Sequence, residues 1–169
     1  MKKKINYLLI NESFKDRFIQ RAAAHLNNTF QSERIEAIVD SLSENIAAEM
    51  PRHISKWGSQ GGISSMNEWE DELFEIKQFA ENRCNIVRAQ IMEELSIDET
   101  VHVLVNVEPP GSGNIFINNV PVLNNGGEQN YFKNISMSIS ATAKPGYQFI
   151  GWDGLSEEHD FIYNCNTDS

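Results

Sequence analysis

The hydrophobic period of this chain changes once, near residues 96–100, and that change restricts the possible folds more than any other feature. Before it, apolar residues recur every three or four positions, as on one face of a helix. From Val101 onward they alternate with polar residues, as in a strand. Helical segments followed by strand segments, without regular alternation of the two, predict an α+β protein.

The helical part contains three amphipathic segments. The first follows a candidate N-cap, Asn11, and repeats an apolar residue at every fourth position from Phe14 to Leu26. The second begins near a candidate cap at Ser32. Because proline removes a hydrogen bond and clashes with the preceding turn, Pro51 predicts a kink or a short break just before it.

The third segment is the longest. Ser65 and Glu68 have the spacing of a capping box, and an apolar stripe follows from Trp69 to Leu95. Short links predict that the three helices form an antiparallel bundle and bury their stripes against one another. Six side chains are expected to pack between the third and second helices: Leu73, Ile76 and Ala80 against Ile38, Leu42 and Ile46.

The residues after the change of period predict a small antiparallel sheet of four or five strands. Alternating runs such as VHVLVNV and YFKNISMSISATA are separated by loops rich in Gly, Pro and Asn. Within the last long run, alternation predicts two faces. The buried face consists of Ile135, Met137, Ile139 and Ala141, and the wet face of Ser136, Ser138, Ser140 and Thr142.

A turn is expected at Pro145-Gly146, because proline sets φ and glycine accepts a positive φ. We therefore predict an antiparallel hairpin across Ala143 to Tyr147. Trp152 ends the segment, and it is expected to plug a small core; an aromatic platform for a sugar or a peptide is the alternative.

Charge restricts the possible partners of the β part. Residues 98–169 contain 2 basic and 9 acidic side chains, a net charge of −7 within a chain of −10. Nucleic acids and anionic membranes need basic patches, so neither is expected as a partner. No apolar run is long enough for a membrane span, and the basic start MKKKINYLLINES lacks the apolar core of a signal peptide.

Motifs that carry chemistry are missing from the sequence. There is no nucleophile elbow and no phosphate loop, and none of the four histidines has the helical spacing of a zinc pair: His25, His53, His102 and His159. An acidic cluster offers oxygen ligands without the spacing of a calcium loop: Asp153, Glu157, Glu158 and Asp160. We predict no catalytic, cofactor-binding or metal-binding residue and no cofactor.

The remaining conspicuous side chains are expected to serve structure. Cys84 falls on an apolar helical face and is predicted to be a buried free thiol, whereas Cys165 lies in the tail. Trp57 and Trp69 lie on apolar stripes and are expected to anchor the helical core.

The helical part resembles the end of spore-coat protein H (CotH) kinase domains over roughly residues 5–95. RIEAIVDSLSENIAAEMPRHISKWG and WEDELFEIKQFAENR look like the last two helices of that family, the latter with Phe79 and Arg83 in place. The first helix carries the pattern LL-x-N-x-x-F-x-x-x-F-x-x-R at Leu8, Leu9, Asn11, Phe14, Phe18 and Arg21. The resemblance suggests that Arg21 and Arg83 hold the helices to each other or to the catalytic part.

The β part has a resemblance of its own. ATAKPGYQFIGWDG is similar to the divergent internalin-B-like, or Listeria–Bacteroides, repeat, which follows exported enzymes and adhesins on bacterial surfaces. That pattern has a further strand, which the tail EEHDFIYNCNTDS supplies only in part. An open sheet edge is therefore expected, and open edges pair with other chains or with the tail.

Together the resemblances imply a helical subdomain over residues 1–97 and an incomplete β-repeat module over residues 98–169. They imply a non-catalytic C-terminal piece of an exported or cell-surface CotH-like Ser/Thr kinase. ATP and Mg²⁺ belong to the parent family only, and the expected partners are the upstream catalytic domain and a protein or carbohydrate at the β-module. The alternatives are a free-standing surface-associated carbohydrate- or protein-binding module and a structural helical protein unrelated to kinases.

Overall fold

The α+β class predicted from the sequence is confirmed. A computed structural model describes residues 7–124, 126–153, 156, 158 and 160–165, with helices first and strands after them. The helices are α1 (Glu12–Asn27), α2 (Ser32–Ala47), α3 (Met50–Trp57) and α4 (Met66–Leu95), with a short 3₁₀ helix at Gly58–Gln60. The strands are β1 (Thr100–Asn106), β2 (Gly113–Ile117), β3 (Val120–Pro121), β4 (Gly126–Phe132), β5 (Ser136–Ala143) and β6 (Asp160–Asn164).

Local signals in the sequence set the helix ends. Asn11 caps α1, because its Oδ1 accepts a hydrogen bond from the N–H of Phe14 at 3.0 Å. Ser65 Oγ accepts from the N–H of Glu68 at 3.1 Å, which is half of the predicted capping box. The Glu68 carboxylate accepts instead from the hydroxyl and the N–H of Ser64, and these bonds lower the pKa of Glu68.

The strands form two antiparallel sheets rather than one. β1 pairs with β4, and a separate four-stranded sheet has the order β3-β2-β5-β6. Asn118 and Asn119 join β2 to β3 with φ of 51° and 63°. Two consecutive positive φ angles fit a type I′ turn, whose twist matches that of the flanking strands.

The chain divides into two compact units that do not follow the change of period. One unit, called here the β unit, contains Met1–Thr29 and Arg88–Ser169, and the other, the helical unit, is Phe30–Val87. Within the β unit, α1 packs on β4 and β5, a contact that the prediction of an antiparallel three-helix bundle did not include. The contact forms because α1 presents small apolar residues, Ala23 and Ala24, which allow a helix to lie close to a sheet.

The main core lies in the β unit. It joins Ile19 and the two alanines of α1 to the inward residues of both sheets, including Val103, Tyr131 and Met137. The predicted faces are confirmed in the middle of the run, since Met137 and Ile139 are buried and Ser136 and Ser138 are exposed. Ile135, Ser140 and Ala141 are only half-buried.

The helical unit buries less than the sequence predicts. Of the six side chains expected to pack together, Ala80 is buried and Leu73 half-buried. The other four are exposed: Ile38 by 44%, Leu42 by 62%, Ile46 by 50% and Ile76 by 49%. Trp69 is buried as predicted, whereas Trp57 is exposed and does not anchor this core.

The predicted hairpin across Ala143 to Tyr147 is wrong. The turn forms, with the N–H of Tyr147 donating to Lys144 O at 3.0 Å and Gly146 at φ 90°. The residues that follow it do not pair as a strand; β5 pairs instead with β2 and β6. The incomplete strand that the sequence predicts in the tail forms β6. This strand lies at one end of the four-stranded sheet, so its outer side is a sheet edge among the described residues.

The buried thiol is Cys165 rather than Cys84, for which burial was predicted. Cys165 is fully buried in the core, and Cys84 is only partly buried, with its thiol donating to Phe30 O at 2.8 Å. Burial raises the pKa of the Cys165 thiol to about 11. The sequence does not predict the burial of Cys165, because this residue lies in the tail and only strand β6 brings it into the core.

Candidate functional site

Helix α1 holds strand β4 through side-chain amides. Gln20 donates from Nε2 to Phe132 O at 2.9 Å and accepts at Oε1 from the Phe132 N–H at 3.3 Å. Two helical turns later, Asn27 donates to Asn130 O at 2.9 Å and accepts from the Asn130 N–H at 3.3 Å. Each amide therefore copies the hydrogen bonds of a neighbouring strand, so this edge of β4 is covered by a helix.

A second set of polar groups continues this contact. Asn28 exchanges hydrogen bonds with the Gln129 side chain at 3.0 Å, and Tyr131 donates its hydroxyl to Gln129 Oε1 at 2.9 Å. Burial raises the pKa of Tyr131 well above its usual range, so the hydroxyl stays protonated. Arg88 donates to Asn130 O at 2.7 Å. These bonds fix α1 against the sheets and thereby fix the direction of its outer face.

The outer face of α1 carries two aromatic rings and two cations. Phe14 and Phe18 stack with centroids 6.4 Å apart and an interplanar angle of 13°, and both are exposed. Arg17 and Arg21 lie one turn apart and are also exposed. Neither arginine has a hydrogen bond or an ion pair within the part of the chain that the structure describes.

This face borders an open groove of about 940 Å³ in the β unit. The opposite side consists of the Asn118-Asn119 turn, the first residues of β5 and Ile162 of β6. Ser136 and Ser138 lie on the exposed face of β5, and Asp16 is the acidic residue among those that line the groove. The volume lies within the range of small-molecule and peptide sites.

Asn118 contributes an unused hydrogen-bond donor at the wall of the groove. Its Oδ1 accepts from the Ser138 N–H at 3.0 Å, and because that group can only donate, the amide orientation is set. Its Nδ2 is buried and has no acceptor among the described residues. Such a donor costs about 1–3 kcal/mol when left without an acceptor.

A smaller cavity of about 100 Å³ lies elsewhere in the β unit, beside the segment after β5. The Trp152 ring contacts Phe149 and Phe161 with centroids 5.5 Å away in each case, and its indole N–H donates to Glu158 O at 3.0 Å. Trp152 therefore plugs a small aromatic cluster, as expected. Tyr147 lines the cavity and is exposed.

The candidate residues singled out from the sequence do not assemble into one site. Among the described residues, no three His, Cys, Asp or Glu side chains are close enough to hold a metal ion, and Glu157 of the predicted acidic cluster lies outside them. Arg83 lies 5.3 Å from the centroid of the Phe79 ring and Arg21 borders the groove. Neither arginine bonds a carboxylate or a carbonyl among the described residues, so they do not hold the helices to each other there, and their proposed contact with the catalytic part stays a prediction. No helix in the described ranges is long and apolar enough to span a membrane.

The groove itself was not predicted, because its two sides come from residues about 100 positions apart in the sequence. The spacing of Phe14, Arg17, Phe18 and Arg21 places them on one helix face, and this was the available signal. The apolar residues of this face predict a helix directed to a bundle, whereas its two arginines indicate an exposed surface.

The fold and its groove define an α+β protein whose first helix packs on the strands. Residues 4–87 match the family model of the CotH kinase protein. This segment, which contains α1, α2, α3 and most of α4, is therefore CotH-like. Comparison with curated proteins and with solved structures gave no match.

Proposed function

We propose that this chain is a non-catalytic C-terminal segment of an exported CotH-like protein kinase, in which it gives structural support and carries an interaction module. The observation that supports this most is the CotH match over residues 4–87, in which the helical unit exposes much of its apolar surface. Ile38, Leu42 and Ile46 lie four residues apart on one face of α2, and each is at least 44% exposed. Because contiguous exposed apolar side chains mark interaction sites, the upstream catalytic domain is the proposed partner of these helices.

ATP and Mg²⁺ act in the catalytic domain of the parent and not in this chain. Phosphoryl transfer needs a phosphate cradle and carboxylates that hold metal, and the sequence contains no motif for either. The strands form the interaction module, for which the similarity to internalin-B-like repeats suggests a bacterial surface location. The turn at Lys144–Tyr147 supports the similarity, whereas the segment after it does not pair with β5 as a repeat hairpin would.

The proposal is tested by nucleotide chemistry and by docking. The purified chain, incubated with labelled ATP and Mg²⁺ or Mn²⁺, is expected to incorporate no phosphate and to show no nucleotide-dependent change in melting temperature. In the complete kinase, Leu42→Glu is expected to lower the melting temperature, since it places a charge in the proposed interface. The same variant in this chain alone is the control and should melt like the unmodified chain. Phosphorylation by the isolated chain, or an unaltered melting temperature of the variant kinase, would contradict the proposal.

A free-standing binding module is the second candidate. The observation that favours it is the exposed Tyr147 beside the small cavity near Phe149 and Trp152, since aromatic side chains with polar neighbours bind sugars and peptides. Binding of soluble polysaccharides that is abolished by Tyr147→Ala, in a chain expressed from its own start, would favour this function over the first.

A further inference from the structure

We propose that the groove between α1 and the β2–β3 turn binds an extended acidic peptide of a partner protein, one that alternates carboxylate and bulky apolar side chains. This site lies wholly within the β unit and is formed partly by strands outside the CotH-like segment. The inference does not depend on the kinase assignment.

Charge is the first argument for this occupant. The chain has a net charge of −10, yet Arg17 and Arg21 stand one helical turn apart at the groove and have no carboxylate partner in the described ranges. With Asp16, the charged side chains that line the groove sum to a single positive charge. A local positive site on an acidic protein attracts anionic ligands selectively, and arginine binds carboxylates through two parallel hydrogen bonds.

The aromatic rings next to the arginines indicate that the ligand also has apolar side chains. Phe14 and Phe18 present a stacked, exposed apolar surface on the same helix face. Ile162 lies across the groove from them and is 64% exposed. A free inorganic anion would leave all three uncovered, whereas a peptide with apolar side chains between its carboxylates would cover them and pair with the arginines.

Hydrogen-bond capacity agrees with an acceptor-rich ligand. The Ser136 hydroxyl already donates to Asn164 Oδ1 at 2.8 Å, and Asn118 Nδ2 is buried and therefore out of reach of a ligand in the groove. The exposed groups with unused donors at the groove are the two arginines, and peptide carboxylates supply the acceptors that they lack.

The test uses the whole chain and a fluorescein-labelled peptide that alternates Glu with Phe and Leu, measured by fluorescence anisotropy at low salt. Micromolar to submillimolar binding is expected, and it should weaken as salt is added. Arg17→Gln and Arg21→Gln should each weaken binding about tenfold, as for loss of one charged hydrogen bond. The matched control is Arg34→Gln, which removes an exposed helical arginine that is not among the residues lining the groove and should bind like the unmodified chain.

A second variant separates binding from folding. Arg21→Glu reverses an exposed charge that has no partner in the described ranges, so binding should fall below that of Arg21→Gln while the melting temperature is retained. A version of the peptide with Gln in place of Glu should bind at least fivefold more weakly. The proposal is overturned by equal effects of Arg21→Gln and Arg34→Gln, by equal binding of the Gln peptide, or by inorganic phosphate that displaces the peptide at equal concentration. It is also overturned if a longer parent chain binds no peptide, because the groove would then be covered by its own protein.

Discussion

At the scale of single residues, amide side chains on α1 have the largest structural effect. Gln20 is fully buried and replaces a neighbouring strand by bonding both backbone groups of Phe132. Its Nε2 also donates to Ile135 O and lies 3.6 Å from the Cys165 sulfur. Glutamine is seldom fully buried in a helix. Here its amide bonds backbone groups that would otherwise have no partner.

Gln20→Ala is expected to lower the free energy of unfolding by about 2–5 kcal/mol, because it leaves two or more buried backbone groups unsatisfied. Urea unfolding of the purified chain measures this. Gln90→Ala, at an exposed position of α4 in the same unit, is the matched control and should change stability by less than about 0.5 kcal/mol. Similar losses for the two variants would show that the Gln20 amide does not hold β4.

The Cys165 thiol makes stability depend on pH in the alkaline range. Burial raises its pKa from 9.0 to about 11, so the folded chain prefers the neutral thiol more than the unfolded chain does. This contribution is complete below pH 9 and is lost as the pH rises towards 11, at most about 2–3 kcal/mol. Cys165→Ser keeps an acceptor for Gln20 and does not titrate. The free energy of unfolding, measured between pH 8 and 11, should therefore fall more steeply for the unmodified chain than for this variant. Parallel curves would contradict a raised pKa of Cys165.

At the scale of elements, close approach of backbones decides where glycine is needed. Gly126 begins β4 opposite Asn106 with φ of 120°, and an added Cβ would collide with the carbonyl oxygen of Val105. Gly127 has a similar φ of 130° but nothing within 4 Å of the same position. Both glycines thus have a positive φ that other residues rarely adopt. They differ only in whether an added Cβ would collide with a neighbouring strand.

Gly126→Ala is expected to be less stable than Gly127→Ala by about 1–3 kcal/mol, since β4 must move away from β1 to accept the methyl group. Thermal or urea unfolding of the two variants provides the comparison, and each serves as the control for the strain in the other. Equal stabilities would mean that the β1–β4 pair can separate without cost at this end.

At the scale of the whole molecule, the two compact units differ in how much they bury. The β unit contains nearly all of the fully buried apolar side chains among the described residues, and the helical unit contributes Met50, Trp69 and Ala80. Stability within the chain should therefore come mainly from the β unit, although the sequence pattern is stronger in the helices.

Met137→Ala should lower the free energy of unfolding by about 2–5 kcal/mol, because it removes buried contacts in the β unit. Leu42→Ala, at a position 62% exposed, should change it by less than about 1 kcal/mol. Denaturant unfolding, followed by circular dichroism for helices and by tryptophan fluorescence, measures both. A loss of several kcal/mol for Leu42→Ala would show that the apolar stripe of α2 is covered in solution.

The amino-acid sequence by itself determined the local structure of this protein. The cap at Asn11, the break before Pro51, the start of α4 at Ser65 and the alternating faces of β5 depend on neighbours within a few residues, so their patterns are visible in the chain. The class, helices followed by strands, follows from these periods.

Only the tertiary structure decided which elements pack together and where the groove lies. An amphipathic stripe indicates which side of a helix is apolar but not what covers it, so α1 was assigned to helices although it packs on β4. The pairing of β5 with β6, the burial of Cys165 and the placement of Arg21 and Asn118 on the same groove depend on residues far apart in the chain. Such contacts arise from the balance of packing and hydrogen bonding over the whole fold, for which a single sequence contains no local signal.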